Sequence, residues 1–132
     1  MSASNYLELE ILDHILGGGD YTRPATVYIS LHTADPGDTG ASETSGTDYA
    51  RASVTNNATN FPAASAGAKT TGAAINFATP GSGGWGTVSH FGIWDASSGG
   101  NFLFGGALAV AKTINQGDPV SFPAGDIDIT AD

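Results

Sequence analysis

The sequence contains no cysteine among its 132 residues, so disulfide bonds and thiolate metal sites are excluded. It also has few cations: four Lys and Arg residues against thirteen Asp and Glu give a formal net charge of −9. Four scattered cations cannot form the basic surface that nucleic acid binding requires. The same shortage argues against anionic membrane surfaces. We therefore expect neither nucleic acid nor a membrane among the partners.

Long apolar runs are also missing. No run approaches the roughly 18 residues of a transmembrane helix. The N-terminal segment carries acids within its apolar stretch and no basic region before it, which is not the pattern of a signal peptide. Charged residues make up only 13% of the chain, against an ordinary value of about 25%. This low fraction predicts a surface that is polar but uncharged, or one that neighbouring proteins cover.

A single helix is predicted, over about residues 5–16. Asn5 is a favourable N-cap, with Glu8 at the capping-box spacing, and the glycines at 17–19 end the helix. One apolar row follows the helix: Leu9, Leu12 and Leu16. The apolar stripe is wide for so short a helix, so it must pack on a sheet or on a partner chain.

The remaining sequence predicts β structure, because short alternating segments are separated by Gly, Pro, Asp and Ser at intervals of about ten residues. Long loops are expected at 34–48 and 56–72. The predicted strands cover 25–33, 49–55, 73–78, 85–95, 101–110, a segment ending at 122, and 127–130. We expect one domain over residues 1–132: mainly β, a compact antiparallel β-sandwich or barrel with one short N-terminal α-helix.

The segments 85–95 and 101–110 form a predicted hairpin that is apolar on both faces. Strict alternation places Phe91 and Ile93 on one face. The same alternation groups Val88 with His90, Gly92 and Trp94, and Phe102 with Phe104. A sheet that is apolar on both sides is covered within its domain or faces a partner. Nearby, Trp85 lies between two glycines, where it is either a platform for a sugar or a lid on the core.

Candidate catalytic and metal sites are weak throughout the chain. The three histidines, His14, His32 and His90, do not have the local spacing of metal ligands. His90 and Asp95 are an odd number of residues apart on one strand, so they lie on opposite faces. The chain has no G-x-S-x-G motif for a nucleophilic serine.

The other two candidate ligand sites have simple structural explanations. The glycine-rich segment 81–86 is not followed by the helix that a phosphate-binding loop requires. Asp126 and Asp128 alternate with two isoleucines, as expected for an amphipathic strand. We therefore predict no catalytic residues, no metal site and no cofactor.

Five segments carry a resemblance to a known family: LHTADPG, DYAR, WGTVSHFGIWDA, GGNFLFGGAL and FPAGD. With the residues around them, over nearly the full chain, they resemble small virion proteins of tailed bacteriophages. Such proteins are labelled tail fiber proteins, and some are similar to capsid decoration (cement) proteins. The resemblance implies a mainly β, non-enzymatic virion component, and it supplies no catalytic residues.

Length favours one of these two roles. A fiber needs an elongated fold, usually a coiled coil or a β-helical repeat, and the sequence has neither. We therefore expect a capsid decoration protein that bridges subunits of the major capsid protein on the exterior of the phage head. We expect it to assemble in the host cytoplasm as a homotrimer. The alternative is a tail fiber or baseplate component that binds a host receptor.

Contacts with these partners are predicted for two groups of residues and for the loop 34–48. The residues are Leu9, Leu12 and Leu16 of the helix, and His90, Trp94 and Phe104 of the hairpin. Each has an alternative, since the leucines and aromatic rings can equally belong to the domain's own core and the loop can be mobile. A third hypothesis, a glycan hydrolase or lyase, requires two carboxylates roughly 5–9 Å apart in a cleft. The acids lie mostly in turns and at strand edges, so we do not favour it.

Overall fold

A computed structural model of the protein describes residues 2–131. Within this range the elements are β1 (Ser2–Ala3), α1 (Asn5–Ile15), β2 (Thr26–His32), β3 (Ala52–Thr55), β4 (Ala68–Thr70), β5 (Ile75–Asn76), β6 (Gly86–Trp94), β7 (Phe102–Ile114), β8 (Ser121–Phe122) and β9 (Asp128–Thr130). A five-stranded sheet has the order β1-β7-β6-β2-β3, and two small sheets pair β4 with β9 and β5 with β8. Every pairing is antiparallel. The prediction of a mainly β fold with one short helix is confirmed, and in the described residues the sheets do not close into a barrel.

Helix α1 begins one residue away from the predicted cap. The N-cap is Ser4, whose hydroxyl accepts a hydrogen bond from the Leu7 amide at 3.2 Å. Asn5 is therefore not the cap, because β1 pairs with β7 and holds the chain extended up to Ser4. The helix ends at Ile15 with Leu16 as its C-cap, and Gly17 follows at φ 109°, where a glycine has little steric cost. Among the described helices none is long and apolar enough to cross a membrane.

The apolar row of α1 faces away from the domain. Leu7 is the buried residue of the helix. By contrast, Leu9, Leu12 and Leu16 are 63%, 56% and 69% exposed, and Ile15 is 69% exposed. The row is present as predicted, and it does not cover the core of its own chain.

The main hydrophobic core lies on one face of the five-stranded sheet. Strands β2, β3 and β6 contribute Val27, Ile29, Leu31, Val54, Phe91 and Ile93. The short strands close it with Ile75 and Phe122, and Ile127 is 1% exposed just before β9. Strand β4 lies inside the predicted loop 56–72. It escapes sequence reasoning because its three residues are ordered by pairing with a distant strand, β9.

Two register shifts between β6 and β7 change which side chains share a face. Ile93 pairs with Phe104, but Trp94 pairs with Phe102, so Leu103 is an extra residue. A bulge of this kind reverses the alternation. Phe104 consequently packs on the main core while Phe102 meets Trp94 on the opposite face. The predicted common face of Phe102 and Phe104 is wrong.

The second shift lies between Val88 and His90. Val88 is 1% exposed and belongs to the main core with Phe91. The sequence prediction placed it with His90, which is only half-buried. That grouping is also wrong, because strict alternation does not hold across an irregular ladder.

The second face of the sheet is covered by the chain between β2 and β3. Pro36, Gly40 and Thr44 of this segment are buried. Its backbone pairs with the end of β2, where the Thr44 amide donates to the Leu31 carbonyl at 2.8 Å. The predicted loop 34–48 is therefore folded against the sheet, and the predicted polar face of β2 is buried as well. Ser30 and His32 are both 0% exposed.

Close approach on this second face requires glycine at position 92. A Cβ atom there would lie 2.6 Å from the Ser30 hydroxyl oxygen and 2.7 Å from the Phe102 ring. We predict that Gly92→Ala lowers the free energy of unfolding by about 1–3 kcal/mol, since the sheet must shift to admit the methyl group. Urea denaturation followed by tryptophan fluorescence measures this change. Gly19→Ala is the control, because its nearest neighbour, the Asp13 Cβ atom, lies at 3.4 Å. Equal effects of the two substitutions would contradict this account.

Candidate functional site

Residues with chemically capable side chains meet beneath the segment 33–51. We call this group the loop-anchoring cluster: Ser30, His32, Glu43, Tyr49, Arg51 and Trp94. Strand β2 supplies the first two, and Trp94 ends β6 beside them, because Tyr28 pairs with Trp94 and Ser30 with Gly92. The segment that covers the sheet supplies the other three. The cluster is the candidate site with the most polar chemistry in the described part of the chain.

His32 lies in the middle of a continuous hydrogen-bond chain. The Trp94 indole Nε1 donates to the Ser30 Oγ atom at 2.8 Å. The Ser30 hydroxyl and the His32 Nε2 atom are 2.7 Å apart, and the His32 Nδ1 atom is 2.7 Å from the Ala41 carbonyl oxygen. A carbonyl only accepts, so Nδ1 carries the proton and Nε2 accepts from Ser30. Each donor and acceptor in the chain then has a partner, and His32 is neutral.

A serine hydroxyl that donates to a histidine is also the first half of a catalytic triad. Here, however, the Ser30 oxygen already accepts the Trp94 proton, and both Ser30 and His32 are 0% exposed. A nucleophile must reach its substrate, and this hydroxyl is covered by the loop. In this arrangement the pair holds the segment 33–51 to the sheet and does not act on a substrate.

Arg51 and Glu43 form the ionic half of the cluster. The guanidinium binds both carboxylate oxygens, Nε to Oε1 at 2.9 Å and Nη2 to Oε2 at 2.8 Å. The Tyr49 hydroxyl donates to the same carboxylate at 2.9 Å and accepts from the Leu31 amide at 3.1 Å. Burial alone raises the pKa of Glu43, but the bonds from Arg51 and Tyr49 outweigh it and hold the pKa below its usual value. Burial raises the pKa of the Tyr49 hydroxyl, which keeps it a donor.

The same guanidinium connects the loop to the β6–β7 hairpin. Its Nη1 atom donates to the carbonyl oxygens of Ala96 and Gly99, both at 2.9 Å. Its carbon lies 3.7 Å from the centre of a Trp94 ring, within the range of a cation–π contact. The predicted hairpin turn is thus fixed from outside by Arg51. It is fixed from inside by Asp95, which accepts from the Asn101 amide at 2.6 Å.

Four of the five segments that carry the family resemblance therefore have a common structural basis. LHTADPG, DYAR, WGTVSHFGIWDA and GGNFLFGGAL all contribute to this cluster or to the hairpin that it fixes. Over residues 2–130 the chain matches the model of the family described as podophage GP4 fiber I protein gp80. The chain belongs to this family. Among curated proteins no significant match is found.

Membership confirms the resemblance to phage virion proteins and places the chain in a family of phage fiber proteins. The family description favours the fiber alternative over the capsid decoration role that length alone predicted. A fiber family also implies a non-enzymatic protein, in keeping with the enclosed Ser30–His32 pair.

Trp85 is not a platform for a sugar. It is 2% exposed, and its indole donates to the Thr47 carbonyl oxygen at 3.0 Å. Its ring meets Tyr49 edge to face at 5.1 Å between centroids. Trp85 is a lid on the core, which is the other of the two roles that the sequence left open.

The predicted contact residues fall into two groups in this fiber-family fold. The helix row Leu9, Leu12 and Leu16 is exposed. The hairpin residues are not: His90 and Phe104 are half-buried, and Trp94 is 7% exposed beneath Arg51. Contact with a partner remains a prediction for all six residues. Only the three leucines of the helix are exposed enough to meet a partner without a change in the fold.

His90 and Asp95 have different hydrogen-bond partners, and Asp95 lies one residue beyond the end of β6. His90 is bonded to the Ser89 hydroxyl at 2.8 Å, and Asp95 binds Asn101. Within residues 2–131 no group of three or more His, Asp or Glu side chains is arranged to hold a metal ion. Ile127 is buried while Asp126 and Asp128 are exposed, so the alternation predicted for this segment is confirmed.

Sequence reasoning missed Glu43 and Arg51. Their eight-residue separation and the loop composition between β2 and β3 give no local periodicity to detect. One signal was present: Arg51 is one of only four cations in an acidic chain. In a chain so poor in Lys and Arg, a cation just before a predicted strand is a candidate for a specific ion pair.

Acid should weaken this fold through His32. Burial lowers the pKa of His32, against the opposing effects of its Ala41 hydrogen bond and the Glu43 charge. An unfolded histidine titrates near about pH 6.5. Because the folded pKa is lower, the unfolded chain takes up the proton first, and stability present above about pH 6.5 is lost as the pH falls through the folded value. In the wild type, the urea concentration at the unfolding midpoint should decline as the pH is lowered through this range.

The matched variants are His32→Gln and His14→Gln. His32→Gln should be less stable at neutral pH and should lose the His32 part of the decline. His14 is exposed, so His14→Gln should keep that part. A His32→Gln protein with the wild-type decline would place the responsible group elsewhere.

Proposed function

We propose that the protein is a non-catalytic fiber subunit that acts through protein–protein contact, with the outer face of α1 covered in the assembled virion. The observation that carries the proposal is the exposed apolar row of this helix. Its three leucines, with Ile15, are each more than half exposed. Exposed contiguous apolar surface marks an interaction site in soluble proteins.

The energetics support a partner on this face. Burying a Leu or Ile side chain completely is worth about 1.5–3 kcal/mol. The helix contributes Leu7 as its buried residue, so the domain's own fold gains little from the other four. An amphipathic helix whose apolar side faces outward is stabilised when another protein covers that side.

The aromatic residues support assembly over recognition of a glycan. The two Trp, four Tyr and six Phe all lie within the described residues, and each is buried or half-buried. A sugar-binding site typically offers an exposed ring for stacking. The described surface offers exposed leucine and isoleucine instead, which suit contact with protein.

Capsid decoration is the second candidate, and one observation favours it. The described chain folds into short sheets around one core and has no elongated repeat. A compact protein of this kind is suited to bridging subunits of the major capsid protein. The family description supports the fiber role, and the two roles predict different binding sites on the particle.

Co-sedimentation with purified phage particles that lack the protein tests both roles. Wild-type protein should bind saturably to tailed particles and not to isolated heads. Leu12→Asp should bind at least about tenfold more weakly, since it places a charge within the apolar row. Val110→Asp is the matched control, because Val110 is an equally exposed apolar residue, 67% accessible, on β7.

The outcomes separate the candidates. Equal binding to isolated heads at a fixed ratio to the major capsid protein would replace the fiber role with decoration. Wild-type binding by a folded Leu12→Asp protein would show that the helix face is not covered in the virion. Equal losses in Leu12→Asp and Val110→Asp would remove the special role of α1.

A further inference from the structure

A second apolar surface lies on the inner side of α1. A groove of about 610 Å³ runs between the helix and the segments 21–27, 56–69 and 129–131. Its floor includes Leu7, Ile11, Val27, Phe61 and Ile129. We call it the α1 groove. An apolar ring needs on the order of 150 Å³, so the groove has room for several leucine side chains.

The charges of the α1 groove are unusual for this chain. Arg23 and Lys69 line it, and no acidic residue of the described range does. The whole sequence has only four Lys and Arg residues, so half of them line one groove in a chain of net charge −9. The Lys69 ammonium donates to the Pro62 carbonyl oxygen at 2.7 Å, and an ammonium has three hydrogens to donate. Arg23 is exposed.

The outer face of α1 has the complementary chemistry. Its apolar row is flanked by Glu8 and Asp13, both exposed, and the helix contains no Lys or Arg. One surface of the chain is thus apolar with acidic flanks, and another is apolar with basic flanks. Apolar shape supplies most of the affinity in such contacts, and complementary charge fixes their orientation.

We infer that the outer face of α1 of one copy docks in the α1 groove of a second copy. This inference rests on the proposed function, since it takes the helix face to be covered, and it identifies the cover as the chain itself. The contact is heterologous, because two different surfaces meet. Such contacts close into a ring when the rotation allows and otherwise extend as a filament. The expected homotrimer is one such ring, and a fiber is the open form.

Direct pairing of two helices is the competing arrangement, and charge opposes it. In heptad terms Leu9 and Leu16 occupy a positions and Leu12 a d position, which places Glu8 at g and Asp13 at e. A parallel coiled coil brings g of one helix beside e of the next. Glu8 would then meet Asp13, two like charges, along an otherwise favourable seam. Docking in the groove places the same acids near Arg23 and Lys69 instead.

Engineered disulfides test the arrangement, because the natural chain has no cysteine to compete. Ala58 and Ala64 line the groove and are exposed. Leu12→Cys combined with Ala58→Cys or with Ala64→Cys should give covalent oligomers under mild oxidation. A disulfide requires two Cα atoms about 4.4–6.8 Å apart, and docking in the groove should bring at least one of the two alanine positions within this distance of position 12 in the second copy. Leu12→Cys alone should give none. Leu12→Cys with Val110→Cys is the control, because Val110 lies outside the groove.

Charge reversal tests the electrostatic part by sedimentation equilibrium of the full chain. Arg23→Glu should weaken self-association by about tenfold, and Arg23→Glu with Asp13→Lys should restore it. Higher salt should weaken the wild-type association, whereas it would strengthen a coiled coil that its own acids oppose. Circular dichroism confirms that each variant is folded.

Three results would overturn the inference. Efficient cross-linking of Leu12→Cys alone would show that helices pair directly. Failure of both double variants to cross-link, in a protein that does self-associate, would place the contact elsewhere. A wild-type chain that is monomeric at all concentrations, yet binds particles through Leu12, would mean that another virion protein covers the helix. The last result leaves the proposed function intact, whereas loss of the Leu12 dependence removes the function and the inference together.

Discussion

The position of Arg51 determines how the second face of the five-stranded sheet is covered. We call this face the upper face, and the face that carries the main core the lower face. Its guanidinium binds the Glu43 carboxylate, two carbonyl oxygens of the hairpin turn and the face of Trp94. The loop between β2 and β3 and the β6–β7 hairpin therefore share one cation. The segment 33–51 has few apolar side chains to bury, so it is held chiefly by polar contacts that each need a fixed geometry. His32, Arg51 and Trp94 each lie within one of the segments that carry the family resemblance, LHTADPG, DYAR and WGTVSHFGIWDA.

The two faces of the five-stranded sheet are stabilised by different physics. The lower face buries aliphatic and aromatic side chains in an ordinary core. The upper face buries His32, Ser30 and Trp94 with all of their hydrogen bonds satisfied, and none of the buried polar side-chain atoms in the described residues lacks a partner. A fully satisfied polar cluster rigidifies its surroundings and specifies one packing. The lower face therefore provides the apolar core, and the upper face selects one loop conformation.

Local pattern predicted the helix, the long hairpin and most strands, because these depend on residues close in sequence. It failed at Phe102 and Val88, where bulges reverse the alternation that the prediction assumed. It failed also at β4, which is ordered by pairing with the distant strand Asp128–Thr130, and at the loop 34–48, which is held by side chains outside any periodic pattern, among them Arg51 and the distant Trp85. The apolar row of α1 was visible in the sequence, but its outward direction was not, because that direction follows from the pairing of β1 with β7 and the burial of Leu7.

The attachment of α1 also determines how the domain bears tension. The helix is tied to the sheet through β1, which pairs with β7 over two residues, and through Ser4, whose amide donates to the Leu103 carbonyl at 2.8 Å. These bonds lie at the edge of the sheet, so a pull on the helix breaks them in turn while the central strands keep their full ladders. In a filament of such subunits, load carried through α1 would separate β1 and α1 from the sheet first and leave the central strands folded. The helix and β1 are thus the part of the domain that yields first under tension.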